Sequence, residues 1–229
     1  AEVWLAYIAL EPYLRQRWPH RIVAWSRLLA GRLRDPLVGR DILIGAVFAV
    51  VLTDFTHLRV LLPTLSGRPV AGLWAPKFDG LLGFRRLLGV FLDGQLIGIT
   101  VGLGAMFLLL LFYIALRREW LAAAVFGVLV LVVNGLGNGG DSLSAWLSAA
   151  VTTAAVLVVL KRFGLVAYVV FEFLVQVLAS CPLSWDFRIW YAGNTEAALL
   201  IFTGLVVYAF YTALGGRPVF RNQVAQQPA

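Results

Sequence analysis

The feature that most limits what this chain can fold into is a series of predominantly apolar runs. Each is about 17–25 residues long, the length a helix needs to cross a hydrocarbon core of roughly 30 Å. They occupy about Asp41–Leu62, Gln95–Leu116, Trp120–Leu136, Leu143–Leu160, Phe163–Cys181 and Thr195–Leu214. Of the 229 residues 61% are hydrophobic and 14% charged, against roughly 45–50% and about 25% in soluble domains. A soluble core of this length cannot hide that much apolar surface. In lipid, backbone N–H and C=O groups must find partners within the protein, and a helix supplies them inside each segment. The expected fold class is therefore all-α, a polytopic integral membrane helical bundle with about six complete transmembrane helices in residues 41–214. Residues 1–14, "AEVWLAYIALEPYL", read as the last turns of a further, truncated membrane helix. They are apolar from the first residue, with none of the basic stretch that opens a signal peptide.

Charge orients the spans. The net charge is +7, and the cations cluster at the ends of the apolar runs. Residues 15–40 alone carry Arg15, Arg17, Arg21, Arg27, Arg32, Arg34 and Arg40. Within them Ile22, Trp25, Leu28 and Leu29 recur at helical spacing, which predicts an interfacial helix with arginines toward anionic headgroups. With Arg117, Arg118, Lys161, Arg162, Arg217 and Arg221, one side of the membrane collects 13 of the 19 Lys and Arg. The richer side is expected to be cytoplasmic. Six spans return the tail, 215–229, to that same side. The basic balance thus points to membrane lipids as partners, not nucleic acid; a homo-oligomer is compatible with it. Cys181 is the only cysteine, so no internal disulfide or cysteine metal cluster is expected.

"VNGLGNGGDS" contains Gly135-x-Gly137-x-x-Gly140, the glycine spacing of a phosphate loop. A dinucleotide fingerprint needs a strand before it and a βαβ unit around it, whereas apolar helices flank this one. It reads as a tight hairpin, with glycine and asparagine permitting positive φ and Asp141 and Ser142 capping the next helix.

The polar residues offer few chemical candidates. Glu172 lies near the middle of the fifth span, where an acidic group costs at least roughly 2.5–3.5 kcal/mol unless paired or protonated. Gln176 follows one turn on. Together they suggest a proton or ligand site; the simpler reading is a neutral Glu172 hydrogen-bonded to Thr152 or Thr153. Asp54 and His57, at i, i+3 near the outer end of the first span, could relay protons; they are too few ligands for a metal, and the simpler reading is an interfacial polar cap. Asp186 and Arg188 stand among Trp185, Trp190 and Tyr191, an aromatic belt with an ion pair or an outer ligand pocket. No catalytic spacing, cofactor motif or metal set emerges.

Four stretches carry a resemblance: "ALEPYLRQRWP" (Ala9–Pro19), "SRLLAGRLRDPLVGRD" (Ser26–Asp41), "WYAG" (Trp190–Gly193) and "GGRPVF" (Gly215–Phe220). In order, they resemble the C-terminal membrane region of certain bacterial (acidobacterial-type) serine/threonine protein kinases. That resemblance implies a cytoplasmic kinase domain upstream and a multi-pass anchor in the bacterial inner membrane with its C-terminus cytoplasmic. The kinase parts are not in this segment. It has no H-R-D and no A-P-E, and "TDFTH" and "KFDG" only approach D-F-G, so it cannot transfer phosphoryl groups itself. A membrane-anchoring and sensory module of a receptor-like kinase is the leading expectation. A small-solute transporter with an acidic site at Glu172 is the alternative.

Overall fold

A computed structural model of the chain describes residue 13 and residues 17–65, 83–137, 143–180 and 192–215. The expectations for residues 1–12, Arg15, the 66–82 loop, the hairpin tip with Asp141 and Ser142, the Asp186/Arg188 belt and the tail beyond Gly215 lie outside these. Among the described residues the chain forms seven α-helices and no strand: α1 Pro19–Leu29, α2 Pro36–Leu65, α3 Phe84–Leu116, α4 Glu119–Gly137, α5 Leu143–Val158, α6 Leu165–Ser180 and α7 Ala192–Leu214. A π-helical turn, Val159–Phe163, extends α5. The expected all-α class holds.

Five helices, α2, α3, α4, α5 with its π turn, and α7, are long and apolar enough to cross a membrane. Their outward residues are large and apolar: Leu96, Val128, Val133, Leu200 and Tyr211 are all more than half exposed. Exposed apolar surface on this scale would be an aggregation liability in water; facing lipid it is the expected exterior. The fifth expected span is different. α6 has 16 residues, about 24 Å at 1.5 Å per residue, short of a roughly 30 Å core. It is the central rod, packed chiefly between α2 and α3, with most of its residues buried. A helix wrapped by other helices need not match the lipid thickness.

The span expected over Gln95–Leu116 is part of one continuous helix that begins at Phe84. Asp93-Gly94 does not interrupt it, because the glycine serves packing. Gly94, Gly98 and Gly102, four residues apart, lie along the face of α3 that meets α6. A methyl group on Gly98 would sit 2.8 Å from the Val169 carbonyl oxygen, and one on Gly102 2.7 Å from the Val169 side chain. On the other side of α6, Gly45 of α2 lies so close that a methyl group would come within 2.5 Å of the Ala167 carbonyl oxygen. Small residues that let backbones approach are the usual glue between helices in lipid, where no hydrophobic force drives association.

The basic segments converge on one end of the bundle. Asp35 caps α2, accepting the Leu37 N–H at 2.9 Å, with Pro36 at the first helical position, where a missing N–H costs nothing. Both Asp35 oxygens accept from Arg27, at 2.9 and 2.7 Å. α1 is not laid out on a leaflet with all its arginines outward. It packs against the bundle through Trp18, Ile22 and Trp25, and Arg21 is buried with them at 5% exposure. The Arg21 guanidinium lies 4.3 Å from the Trp18 ring and pairs with Glu119 at the start of α4. Trp18 in turn packs on Tyr113 near the end of α3, 5.2 Å between ring centroids.

The α3 ladder yields a paired prediction. Gly98→Leu should lower stability by about 1–3 kcal/mol, the usual cost of overpacking. Gly104→Leu, where an added Cβ meets nothing within 4 Å, should be neutral or stabilising, since it removes a helical glycine. Thermal unfolding of the two variants in detergent checks this; equal Tm values would contradict it.

Candidate functional site

Gly164 is the one residue between the π turn and α6. Its φ of 98° and ψ of −166° belong to a region essentially reserved for glycine. The residue also abuts α1, where a methyl group would lie within 2.4 Å of the Arg21 carbonyl oxygen. From this joint α5 and α6 diverge and hardly touch again, while α5 pairs with α4, α4 closes against α3 and α5 against α2. The space left between α5 and α6 is a cleft of about 490 Å³, well within the usual range for small-molecule sites.

Its lining is apolar apart from Asn134 of α4, Thr152 of α5, and Tyr168 and Glu172 of α6. Glu172 is at the middle of α6. The Tyr168 hydroxyl, one turn earlier, hydrogen-bonds to its carboxyl. Asn134 donates to the Val130 carbonyl at 2.9 Å, so part of its amide is used within α4. No lysine, arginine or histidine lines the cleft. The mouth is formed by exposed apolar positions, Val101 and Gly104 on α3 and Leu129 and Val133 on α4. These lie on the same outward faces as the other lipid-directed side chains.

A smaller cavity of about 170 Å³ shares Leu52, Asn134, Thr152 and Val175 with the cleft and continues to Thr53, Thr56 and His57. Thr56 donates to the Leu52 carbonyl at 2.9 Å, whereas the buried Thr53 hydroxyl has no partner. This cavity lies near the end of α2 where Arg59 donates to the Ser144 carbonyl at 3.2 Å.

The structure sorts the residues singled out in the sequence. Glu172 enters the cleft, with Thr152 across from it; Thr153 is buried with its hydroxyl unpaired. Gln176 lines a separate groove of about 380 Å³ with Arg86, Asp93 and Ser180. Gln176 lies one turn further along α6, where Asp93 and Ile97 of α3 stand nearby in place of Val101 and Gly104. His57 reaches the smaller cavity and Asp54 is exposed beside it. No cluster of three or more His, Cys, Asp or Glu able to hold a metal occurs among the described residues. Of the basic segment, Arg32 and Arg34 are exposed. Arg17 donates to Tyr113 Oη at 3.4 Å and Arg40 bonds Asp41 at 2.9 Å. Arg21 and Arg27 are paired as described above.

Two members of the site were not singled out in the sequence. Tyr168 was detectable as the residue one turn before Glu172. Asn134 fell within the third expected span without being weighed as a site residue, and Gly135, expected to open the hairpin, is likewise in α4. Gly135 is a seat for Trp146 of α5, whose ring would meet an added methyl group at 2.5 Å. The glycine pattern is thus a helix-packing feature at its start, not a phosphate loop.

Compared with models of known families, with curated proteins and with solved structures, the chain gives no match.

Replacing Glu172 by Gln keeps an acceptor for Tyr168 and removes a carboxyl from an apolar setting. Stability should be unchanged or raised, because the amide has no ionised form to be kept out of the bilayer. Thermal unfolding in detergent measures it; a large drop in Tm would make the carboxyl a structural keystone instead of a candidate for function.

Proposed function

We propose that this chain is the membrane-anchoring and sensory module of a receptor-like bacterial serine/threonine protein kinase. It sits in the inner membrane with its basic end and C-terminus in the cytoplasm, against anionic headgroups. The kinase connection comes from the resemblance of the arginine-rich segment and the short stretches near the C-terminus. The orientation follows from the excess of Lys and Arg on one side.

One observation carries the sensory part. The Arg21 backbone of α1 abuts Gly164; the Gly164 carbonyl accepts the Tyr168 N–H at 3.2 Å; and the Tyr168 hydroxyl reaches Glu172 in the cleft. A change at the cleft that tilts the first turn of α6 is thus felt directly by the segment leading to an upstream domain. Coupling of this kind requires two arrangements of the joint, each favoured by a different state of the cleft.

The reading frame upstream of Ala1 should encode a kinase domain. In the full-length protein, deleting the membrane region should release the kinase from the membrane and alter its autophosphorylation. Gly164→Ala, which strains the joint by about 1–3 kcal/mol, should alter autophosphorylation without releasing the enzyme. A free-standing reading frame, or a full-length enzyme indifferent to both changes, would refute the module.

The neighbouring cavity that shares Leu52, Asn134, Thr152 and Val175 with the cleft and reaches His57 favours a second reading, a small-solute or proton permease. In proteoliposomes under a potassium diffusion potential, such a protein would pass protons and Glu172→Gln would stop them. Equal traces from both forms and from empty liposomes would dismiss it.

A further inference from the structure

The cleft has a character neither reading of the function explains: its polar groups are deep, and its entrance is greasy. Val101, Leu129 and Val133 at the mouth are exposed apolar side chains, and Gly104 between them leaves open space. On a lipid-facing surface, an opening rimmed this way admits molecules dissolved in the hydrocarbon and deters ions or sugars arriving from water. At the back stand Glu172, Tyr168, Thr152 and Asn134. These can hold one small polar head while the apolar walls cover its tail. The single ionisable carboxyl there faces no lysine, arginine or histidine within the cleft. The unmatched chemistry is therefore negative, and the complement is a cation.

We propose that the cleft between α5 and α6 is a binding site for lipid-soluble amines, entered sideways from the bilayer between α3 and α4, with the ammonium head at Glu172 and the hydrocarbon tail toward Val101 and Val133. A carboxylate in an apolar cleft is costly when alone and much less so beside a bound cation. The volume of about 490 Å³ suits a head and a short tail, with the remainder of a longer chain left in lipid. The site depends on the geometry of the bundle alone, so it can fail while the kinase connection stands, and the reverse.

Carbodiimide labelling tests it on the whole chain in phosphatidylcholine liposomes. A protonated carboxyl adds across a carbodiimide C=N bond, and the O-acylisourea so formed rearranges to a stable N-acylurea. No group leaves, and mass spectrometry locates the adduct. Lipid-soluble dicyclohexylcarbodiimide should modify Glu172. The water-soluble ethyl-dimethylaminopropyl carbodiimide should spare Glu172 while modifying exposed Asp54, which shows that reagent to be active. N,N-dimethyldodecylamine, a tertiary amine that cannot be acylated, should slow labelling of Glu172 about tenfold at ten times its dissociation constant, by one-site mass action. Dodecanol, with the same tail and no charge, should not. Gly104→Leu, which fills the mouth without a Cβ clash, should cut both the labelling and the protection while leaving Tm intact. Labelling of Glu172 by the water-soluble reagent as fast as by the lipid-soluble one would overturn lateral entry. Failure of the lipid-soluble reagent to label it would do the same. Protection by dodecanol equal to that by the amine would overturn the assignment of a cation.

Discussion

The architecture depends on how closely the backbones of α2 and α3 approach α6. At Gly45 and Gly98 the neighbouring helices come so near the Ala167 and Val169 carbonyl oxygens that no side chain fits between. Without water there is no hydrophobic force between helices in a bilayer, so such contacts, summed over many atoms, are what hold the rod in place. The cost of each is intolerance: a single methyl group at either glycine must push a helix outward. This also explains why the shortest apolar helix is the innermost. α6 is clasped along its length by partners that are themselves long enough to span, so its own ends need not reach either surface.

Fixing α6 between α2 and α3 determines what happens on its remaining face. Held against α2 and α3, it cannot also follow α5, and the one-residue joint at Gly164 lets the two part. The cleft follows from packing α6 tightly against α2 and α3 and leaving its remaining face without a close partner. Its polar members come from three helices, and only Tyr168 and Glu172 are neighbours along a turn. The same joint is where α1 docks, since the Arg21 backbone fills the place a side chain at residue 164 would need. Arg21 is consequently drawn inside, beneath Trp18, with Glu119 as its counter-charge. A buried arginine with Nε and Nη1 otherwise unbonded would be expensive without that partner.

Hydropathy made the helices legible and little else. The runs Trp120–Leu136 and Leu143–Leu160 match α4 and α5 within a few residues, because apolar length is nearly all a membrane asks of a helix. The second run begins too late in the sequence reading because Asp93, Gly94 and Gln95 look like a break in hydropathy, yet a helix of 33 residues easily carries one polar turn beyond the lipid. Arg21 was grouped with the headgroup contacts because composition gives its charge but not Glu119 across the fold, 98 residues away. The spacing of Gly94, Gly98 and Gly102 was present in the sequence and marks the α6-facing side of α3. Gly104, two residues on, points the other way, and only the packing distinguishes a glycine that must stay small from one that leaves a gap.

Glu172 was legible for the reason that makes it interesting: a carboxyl in mid-span is conspicuous. Its surroundings were not, because Asn134, Thr152 and Leu52 approach it from helices whose order around α6 no hydropathy profile encodes. The simpler expectation placed a threonine hydroxyl on it, which would have sealed the carboxyl into helix-to-helix glue. Its hydrogen bond instead comes from Tyr168 on its own helix, and that difference has a consequence. A carboxyl tied across to α5 would hold α5 and α6 together and leave no cleft, whereas one tied along α6 leaves α5 free to stand away. The chain therefore retains a polar group in the bilayer that contributes nothing visible to joining helices. In a medium where unpaired polarity is so costly, this makes Glu172 a better candidate for meeting a ligand than for supporting the fold.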